Sequence, residues 1–473
     1  MLPAVTDVSN PPTALPNRLD ARTRSMVVVL LFGAVLPLLD TTIVNVALDD
    51  LSQVFDARVS VVQWVATGYV LASAVTIPVS GWATHRYGGK RVWMTALSLF
   101  LIGSMACGLA WNIDSLIVFR IVQGIGGGLS MPILQTLLVQ SAGKQQATRA
   151  MGAVGVPAVL APILGPILGG LLLDSAGWRW IFFVNVPICL AGIVLAARRL
   201  PVSPADPDRK LDVTGLLLLS PGLALAVFGL SRIGGGNDHG WTTPAAIGAG
   251  AVLIAGFVVW APRASTPLVD VRVFARTHFL GAWLSLLLTS LVFYGALLLL
   301  PLYYQRAWDY SPLQAGLVLA LQGIGAFAAR SVANRLTARI GTRVTVLAAL
   351  ALAAAGTLPF AVGADTDRGW LLGIGLVVRG AGVGAVTILT MGACYHRIEH
   401  TGIAHASTSG RIATQLGGAL GSVVVATVLA TGTTSHRAAG ADLFTASFWW
   451  LVVLTACTAL PALLLPRGEV ERS

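Results

Sequence analysis

The hydrophobic pattern along the chain consists of long apolar runs separated by short polar stretches. These runs are close to the length of about 20 residues that crosses hydrocarbon as a helix, and they do not alternate apolar and polar residues as membrane β-strands do. The pattern therefore predicts an all-α integral membrane protein with fourteen transmembrane helices. We expect these helices at residues 26–51, 61–82, 92–111, 115–140, 148–173, 180–200, 211–233, 244–262, 279–305, 312–336, 342–363, 370–394, 402–430 and 446–466.

The composition and the charge distribution agree with a membrane protein. Of the 473 residues, 55% are hydrophobic and only 11% are charged, which leaves too little polar surface for a soluble chain of this size. With fourteen helices, 21 of the 31 Lys and Arg residues fall on the side of both termini and six on the other side. By the positive-inside rule, both termini are cytoplasmic. The net charge of +11 then reflects the Lys and Arg residues on the cytoplasmic side of the membrane and does not indicate a nucleic-acid partner.

Two motifs occur twice. "GWATHRYG" begins at Gly81 and "NRLTARIG" begins at Asn334, 253 residues later, while "RIVQGIGGG" from Arg120 resembles "RGAGVGAV" from Arg379, 259 residues later. Two repeated halves are a transporter design, with a substrate site between them. The predicted organisation is a disordered cytoplasmic tail, a six-helix bundle, an inserted helix pair with linkers, a second six-helix bundle and a short tail, at residues 1–25, 26–200, 201–265, 266–466 and 467–473.

Asp40 is a carboxylate inside the first apolar run. Ionisable groups inside the membrane are costly, so they are candidates for function, and burial disfavours the charged form, which makes proton exchange feasible. Pro37 is expected to loosen the helix one turn before it. The alternative is a neutral structural Asp satisfied by the hydroxyls of Thr41 or Thr42. We expect Asp40 to be the proton-coupling group.

Arg120 lies inside the fourth run and shares a helix face with Gln123 and Gly124. A buried guanidinium cannot discharge and needs a partner, so a coupling to Asp40 is plausible, directly or through water. The alternative is an Arg that extends to the membrane surface. Gly124 and Gly128 form a G-x-x-x-G pair that permits close helix packing. Arg379 is the equivalent position in the second half.

Further polar and aromatic residues are candidates to line a substrate cavity, although most of them are expected to be packing or interface residues. They are Asn45, Gln63, Tyr69, Gln123, Gln135, Tyr294, Tyr303, Gln305, Gln322 and Arg379. The four cysteines have no metal-ligand spacing, and no nucleophile–base set or phosphate loop is found. The sequence therefore predicts neither an enzyme nor a metal or cofactor site.

Several stretches together resemble the major facilitator superfamily, in particular its fourteen-helix drug:proton antiporter branch of the EmrB/QacA type. The resemblance covers most of the chain after residue 25. It is carried by "LDTTIVNVAL" (39–48), "QWVATGYVLASAVTIPVSG" (63–81), "GWATHRYGGKR" (81–91), "RIVQGIGGG" (120–128), "GPILGG" (165–170), "WRWIFFVNVP" (178–187) and "QLGGALG" (415–421). It implies proton-driven export of lipophilic, often cationic compounds, with Asp40 as the protonatable group and Arg120 tuning its protonation.

The resemblance also implies roles for two glycine-containing motifs. The gating motif between outward and inward states comprises Gly155, Gly165, Pro166, Gly169 and Gly170. The loop motif between the second and third helices comprises Gly81, His85, Arg86, Gly88, Lys90 and Arg91. In the family, an Asp usually stands where this chain has His85, which is then either a pH-responsive contact or a tolerated loop residue. A Pro usually stands where this chain has Asp49.

The sequence therefore predicts a proton-coupled antiporter that exports lipophilic drugs or antibiotics across the bacterial cytoplasmic membrane. Because the chain has one deep carboxylate, monovalent or neutral substrates are expected. The expected partners are a small-molecule substrate, protons and the lipid bilayer, and the expected state is a monomer. The main alternative is a dedicated exporter of one endogenous metabolite or self-made natural product. A nutrient importer and a sensor without transport are less favoured alternatives.

Overall fold

A computed structural model of the chain describes residues 21–466 except 203–204, 235–240, 311, 363–368, 396–397, 399–401 and 434–440. Nearly all of the described backbone is helical. The predicted C-terminal tail and most of the predicted N-terminal tail lie outside the described residues. The side chains of 141–160 and of several single positions are also outside the description.

The first half of the chain contains seven helices. The first predicted run divides into two helices, α1 and α2, and the sixth divides into α6 and α7. The bounds are α1 Ala21–Val46, α2 Leu48–Val54, α3 Val59–Tyr87, α4 Gly89–Gly108, α5 Ile113–Ala176, α6 Arg179–Phe183 and α7 Asn185–Arg199.

Nine helices follow, of which α8 and α9 correspond to the predicted inserted pair. Two short 3₁₀ turns, Ala261–Arg263 and Val271–Ala275, lie between α9 and α10. The bounds are α8 Val213–Gly234, α9 Thr242–Trp260, α10 Thr277–Ala307, α11 Pro312–Ile340, α12 Thr342–Ala361, α13 Gly369–Ala393, α14 Ile403–Thr433, α15 Ala441–Cys457 and α16 Ala459–Ala462.

Among the described residues, twelve helical segments are long and apolar enough to cross a membrane. The two other predicted spans are represented by the shorter described helices Ile167–Ala176 and Gln314–Ala329. The prediction of an all-α integral membrane protein is therefore confirmed. The count of fourteen spans stays a prediction.

Helix α5 covers the two predicted helices 115–140 and 148–173, and its backbone is helical also over residues 141–147, where a break was expected. Arg120 and Ala161 of α5 contact Asp40 and Thr42, which are two residues apart on α1. A straight helix would separate Arg120 from Ala161 by about 60 Å at 1.5 Å per residue. The helical run must therefore fold back between them, so that both of its arms pack on α1.

The packing order of the first half is repeated in the second half. Helix α5 packs against α1, α3 and α4, and α7 packs against α1 and α4. In the second half, α10 packs against α14, α13 packs against α11 and α12, and α15 packs against α10 and α12. The two sequence motifs therefore belong to a repeated packing arrangement, although the exact domain boundaries stay a prediction.

The ends of the two loop motifs have the same backbone and the same anchoring contact. Gly88 and Gly341, which separate α3 from α4 and α11 from α12, have φ angles of 85° and 83°, a region that favours glycine. Shortly after them, Lys90 Nζ donates to Ala197 O at 2.7 Å, and Arg343 Nε donates to Leu465 O at 3.0 Å. Each cation thus binds carbonyl oxygens at the C-terminal end of its half.

Helices α8 and α9 pack against each other, and α8 also contacts both halves through α3 and α14. Ser220 Oγ donates to Val75 O of α3 at 2.7 Å. Leu219 and Leu223 belong to one apolar cluster with Ile77 of α3 and Ile412 of α14. The inserted pair therefore lies along the boundary between the two halves.

Candidate functional site

Asp40 is buried at the centre of a polar cluster between α1, α4, α5 and α7. Its exposed fraction is 1%, and its Oδ2 accepts a hydrogen bond from Arg120 Nη1 at 2.5 Å. Its Oδ1 accepts from Gln123 Nε2 at 2.9 Å and from Asn185 Nδ2 at 3.2 Å. One carboxylate therefore joins two helices, α5 and α7, to α1.

Ser104 of α4 completes the cluster. Its hydroxyl accepts from Gln123 Nε2 at 3.2 Å and from Asn185 Nδ2 at 3.1 Å, and it donates to Phe182 O at 2.9 Å. The two amide groups that bind Asp40 are thus oriented by a second hydrogen bond. These paired hydrogen bonds hold the Gln123 and Asn185 amides in one arrangement around Asp40.

Arg120 is equally well partnered. Its Nε donates to Val65 O at 3.0 Å, its Nη1 also donates to Gln123 Oε1 at 2.7 Å, and its guanidinium lies 4.3 Å from the ring centroid of Tyr69. Removal of one partner from a buried ion pair costs about 3–5 kcal/mol, because the other charge is left uncompensated. Asp40 and Arg120 are therefore strongly coupled.

The contacts distinguish between the structural alternatives for these two residues. Thr41 Oγ1 donates to Pro37 O and Leu38 O, and Thr42 Oγ1 donates to backbone carbonyls of α1 and to Ala161 O. Neither hydroxyl satisfies Asp40. Arg120 is 1% exposed and does not extend to the surface. The carboxylate and the guanidinium are each other's partners, without an intervening water.

Glycines allow the helices of the cluster to approach closely. A Cβ at Gly103 of α4 would lie 2.6 Å from Gln123 Cα. A Cβ at Gly124 would lie 3.0 Å from Tyr69 Cα, and one at Gly128 would lie 2.7 Å from Ser73 Cα. The G-x-x-x-G pair therefore packs against α3, and Gly103 permits the approach of α4 that brings Ser104 to Gln123.

The described part of the predicted gating motif packs on α1 directly beside Asp40. A Cβ at Gly165 would lie 2.6 Å from Thr42 Cβ, and one at Gly169 would lie 3.5 Å from Ile43 Cα. No atom lies within 4 Å of a Cβ built at Gly170. The predicted members Gly155 and Pro166 lie among the positions whose side chains the structure does not describe.

The loop motif between α3 and α4 does not contribute to the Asp40 cluster. A Cβ at Gly81 would lie 3.2 Å from Thr408 Oγ1 of α14, and the ring of His85 lies 6.2 Å from that of His405. Ser80 and Thr408 also share a hydrogen bond of 3.2 Å. Arg91 is exposed and Arg86 is partly exposed. The motif therefore lies where the first half meets α14 of the second half.

The structure distributes the cavity candidates over several places. Tyr69 and Gln123 belong to the Asp40 cluster, and Gln322 accepts a hydrogen bond from Arg379 Nη1. Asn45 and Gln63 are exposed, Tyr303 is buried in an aromatic cluster of the second half, and Gln305 is partly buried. Tyr294 packs against Gly418 of α14.

Gln135 lies at a junction of three helices. Tyr395, just after the end of α13, donates its hydroxyl to Gln135 Oε1 of α5 at 3.3 Å and to Ser407 Oγ of α14 at 3.1 Å. Burial is the main reason that the pKa of Tyr395 is raised above its ordinary value, so the phenol stays a neutral donor. This contact joins the two halves away from the Asp40 cluster.

Sequence reasoning missed Asn185 and Ser104 as partners of Asp40 and did not single out Arg411 of α14. Asn185 stands inside the quoted motif "WRWIFFVNVP", where a polar residue in an apolar run was the available signal. Ser104 had no such signal, since a single serine is common in membrane helices. Among the described residues, no group of three or more His, Cys, Asp or Glu side chains could hold a metal.

A repeated all-helical membrane fold with a buried ion pair in one half is typical of a membrane transporter. The sequence model of the Major Facilitator Superfamily matches residues 30–422, so the chain belongs to this family. This confirms the family resemblance carried by the motifs.

Curated relatives and solved structures agree with this assignment. The chain is 38% identical to the multidrug resistance protein B homolog of Mycobacterium tuberculosis over 88% of this chain and 77% of that protein. It is 30% identical to the putative multidrug resistance protein MdtD of Serratia proteamaculans, over 94% of this chain and 93% of that protein. The structure resembles human organic anion transporter MFSD10 with a TM-score of 0.66 at 18% identity, covering 94% of this chain and 99% of that one. At this identity the structural likeness supports the fold alone.

Proposed function

We propose that the protein is a proton-coupled antiporter that exports lipophilic drugs or antibiotics across the bacterial cytoplasmic membrane, with fourteen spans, cytoplasmic termini and a monomeric state. The names of the curated relatives favour drug export. The single observation that carries the proton-coupling part is the buried Asp40, bound by Arg120, Gln123 and Asn185 from two other helices.

Protonation of Asp40 changes the balance of this cluster. The neutral acid no longer compensates Arg120, which keeps only the neutral acceptors Val65 O and Gln123 Oε1. A buried charge without its counter-ion is unfavourable, so a rearrangement of α1 against α5 that restores solvation or another acceptor is favoured. The proton gradient supplies the driving force, with about 2.3 kcal/mol per charge for each 100 mV of membrane potential.

The contacts of α1 provide a route from the proton site to the gating motif. Thr42 lies two residues after Asp40, donates to Ala161 O at 3.2 Å and packs on Gly165. A shift or rotation of α1 at Asp40 would therefore change its packing on the second arm of α5. In this mechanism, proton binding at Asp40 and the opening of the halves are coupled because both involve the same movement of α1.

Inside-out vesicles with an imposed pH gradient test the proposal. A panel of lipophilic cations and neutral antibiotics is added, and proton release is followed with a fluorescent pH probe. Wild type is expected to release protons with some compounds, and Asp40→Asn is expected to release none. Asp50→Asn, which changes an exposed carboxylate on α2, is the matched control and is expected to behave as wild type. Export with normal proton coupling in Asp40→Asn would refute the assignment of Asp40.

A further inference from the structure

The charged groups inside the described membrane spans are unbalanced. Among the side chains that the structure describes, away from the helix ends, these are one carboxylate, Asp40, and three guanidinium groups, Arg120, Arg379 and Arg411. Asp40 compensates Arg120. Arg379 and Arg411, both on helices of the second half, have no ion-pair partner among the described residues.

Arg379 is the more deeply buried of the two uncompensated groups, with an exposed fraction of 1%. Its Nη1 donates to Gln322 Oε1, and its Nη2 has no hydrogen-bond partner among the described residues. A buried cation without a counter-ion and with an unsatisfied N–H is costly. Arg379 is therefore bound by a neutral amide oxygen, whereas Arg120 in the first half is bound by a carboxylate.

The surroundings of Arg379 are closely packed and hold the group in place. A Cβ at Gly356 of α12 would lie 2.7 Å from Arg379 Cα, and a Cβ at Gly380 of α13 would lie 2.9 Å from Gln322 Cα. Helices α11, α12 and α13 therefore approach as closely as glycine permits at this level. The position of the guanidinium beside Gln322 is thus fixed by the backbone.

Arg411 of α14 adds to the positive potential of the same half. Its Nε is buried and has no hydrogen-bond partner among the described residues. Its charge lies close enough to Tyr69, the residue under Arg120, to act electrostatically on that phenol. Opposite charges attract strongly where water is excluded, so Arg411 would add to the attraction of an anionic group bound in the second half.

We infer that Arg379 and Gln322 form a binding site for an anionic group of the substrate, such as a carboxylate. The anion would accept from Nη2 of Arg379 and supply the counter-ion that Arg379 lacks among the described residues, while the Gln322 amide orients the guanidinium. This inference rests on the proposed transport function for its biological meaning. It changes the expected substrate from a monovalent cation or a neutral compound to a lipophilic acid or zwitterion.

The test compares three probes with one aromatic body and different charge: 2-naphthoate, 2-naphthamide and 2-naphthylmethylammonium. Binding to purified protein in nanodiscs is measured by titration calorimetry at pH 7.5, with empty nanodiscs as the blank. Wild type is expected to bind naphthoate at least about tenfold more tightly than naphthamide, the effect of one charge-assisted hydrogen bond, and ammonium most weakly.

Two variants act on the site in opposite ways. Arg379→Gln removes the cation, and Gln322→Glu supplies an internal counter-ion. Both are expected to reduce the preference for naphthoate over naphthamide to less than about twofold. Gln322→Glu is expected to fold, because it gives Arg379 the partner that Asp40 gives Arg120. Gln314→Glu, the same change at an exposed position of α11, is the matched control and should keep the preference.

Equal or weaker binding of naphthoate in wild type would overturn the inference, as would an unchanged preference in Gln322→Glu. Asp40→Asn separates this inference from the proposed function. If Asp40→Asn keeps the naphthoate preference while proton-coupled export is lost, both statements stand. If wild type shows the preference but releases no protons with naphthoate or with any compound of the vesicle panel, the anion site stands and the antiport proposal fails.

Discussion

Arg120 and Arg379 occupy equivalent places in the two halves, yet they have opposite chemical surroundings. Each lies on a helix that packs against two neighbours through close glycine contacts, and each is 1% exposed. Arg120 binds Asp40, Gln123 Oε1 and Val65 O, whereas the one hydrogen-bond partner of the Arg379 side chain among the described residues is Gln322. The repeated backbone therefore preserves the position of a buried cation, while the side chains around it decide what that cation does.

The residues of α3 and α11 that contact the two guanidinium groups also differ in their chemistry. Tyr69 on α3 lies beneath Arg120, and Gln322, at the equivalent position on α11, binds Arg379. An aromatic ring stabilises a cation without accepting a hydrogen bond in its plane, so the N–H groups of Arg120 stay free for the carboxylate. The Gln322 amide accepts from Arg379 Nη1, and Nη2 is left without a hydrogen-bond partner among the described residues.

The largest expected effect is the loss of one member of the Asp40–Arg120 pair. Arg120→Gln leaves a buried carboxylate without its cation and is expected to destabilise the protein by about 3–5 kcal/mol. Asp40→Asn/Arg120→Gln should recover a large part of that loss. Arg379→Gln removes an uncompensated charge and should cost little or stabilise. Thermal unfolding in detergent measures all three, and a strongly destabilised Arg379→Gln would contradict the comparison.

Glycine packing should be equally important in both halves. Gly103→Ala and Gly356→Ala each place a Cβ within 2.7 Å of a backbone atom of α5 or α13. Overpacking at such contacts costs about 1–3 kcal/mol, so we expect similar falls in melting temperature. A change that affects only one half would show that the two glycines are not equivalent. Gly248→Ala on α9, where no atom lies within 4 Å of the added Cβ, is the control.

Substitutions in the turns after α3 and α11 are expected to have a smaller effect on thermal stability than the loss of the Asp40–Arg120 pair. Gly88→Ala and Gly341→Ala force a side chain into the positive-φ backbone that both positions adopt. With ψ angles of 139° and 163°, both positions lie in a region that is nearly restricted to glycine, so the expected cost is about 1–3 kcal/mol for each variant. The measurement is the midpoint of thermal unfolding. If either alanine is tolerated without a shift, that turn does not need the left-handed conformation.

The smallest expected effect concerns the cations that follow these turns. Lys90→Met and Arg343→Met remove hydrogen bonds to the last carbonyl groups of their halves. A cation at a helix C-terminus contributes about 0.3–1 kcal/mol. We expect small and similar losses of thermal stability that shrink in high salt, since salt screens partly exposed charges. A loss that does not depend on salt would indicate packing and not charge.

Local properties explain why much of this protein could be predicted from its sequence. Apolar run length predicts a membrane helix because the bilayer has a fixed thickness. Asp40 and Arg120 were recognised as candidates because an ionisable group in hydrocarbon is expensive wherever it occurs. Each of these inferences needs only the neighbouring residues.

The tertiary structure decided the partners. The sequence did not indicate that Asn185 and Ser104 complete the site of Asp40. It also did not indicate that both arms of α5 pack on α1, or that α8 contacts both halves. Nor did it indicate that Arg379 has one neutral acceptor and a free N–H. Such contacts depend on the rotation and depth of each helix relative to its neighbours, which are set by the packing of many side chains together. By itself, the sequence determined which groups carry charge in the membrane, and only the packed helices decided which of those charges are compensated.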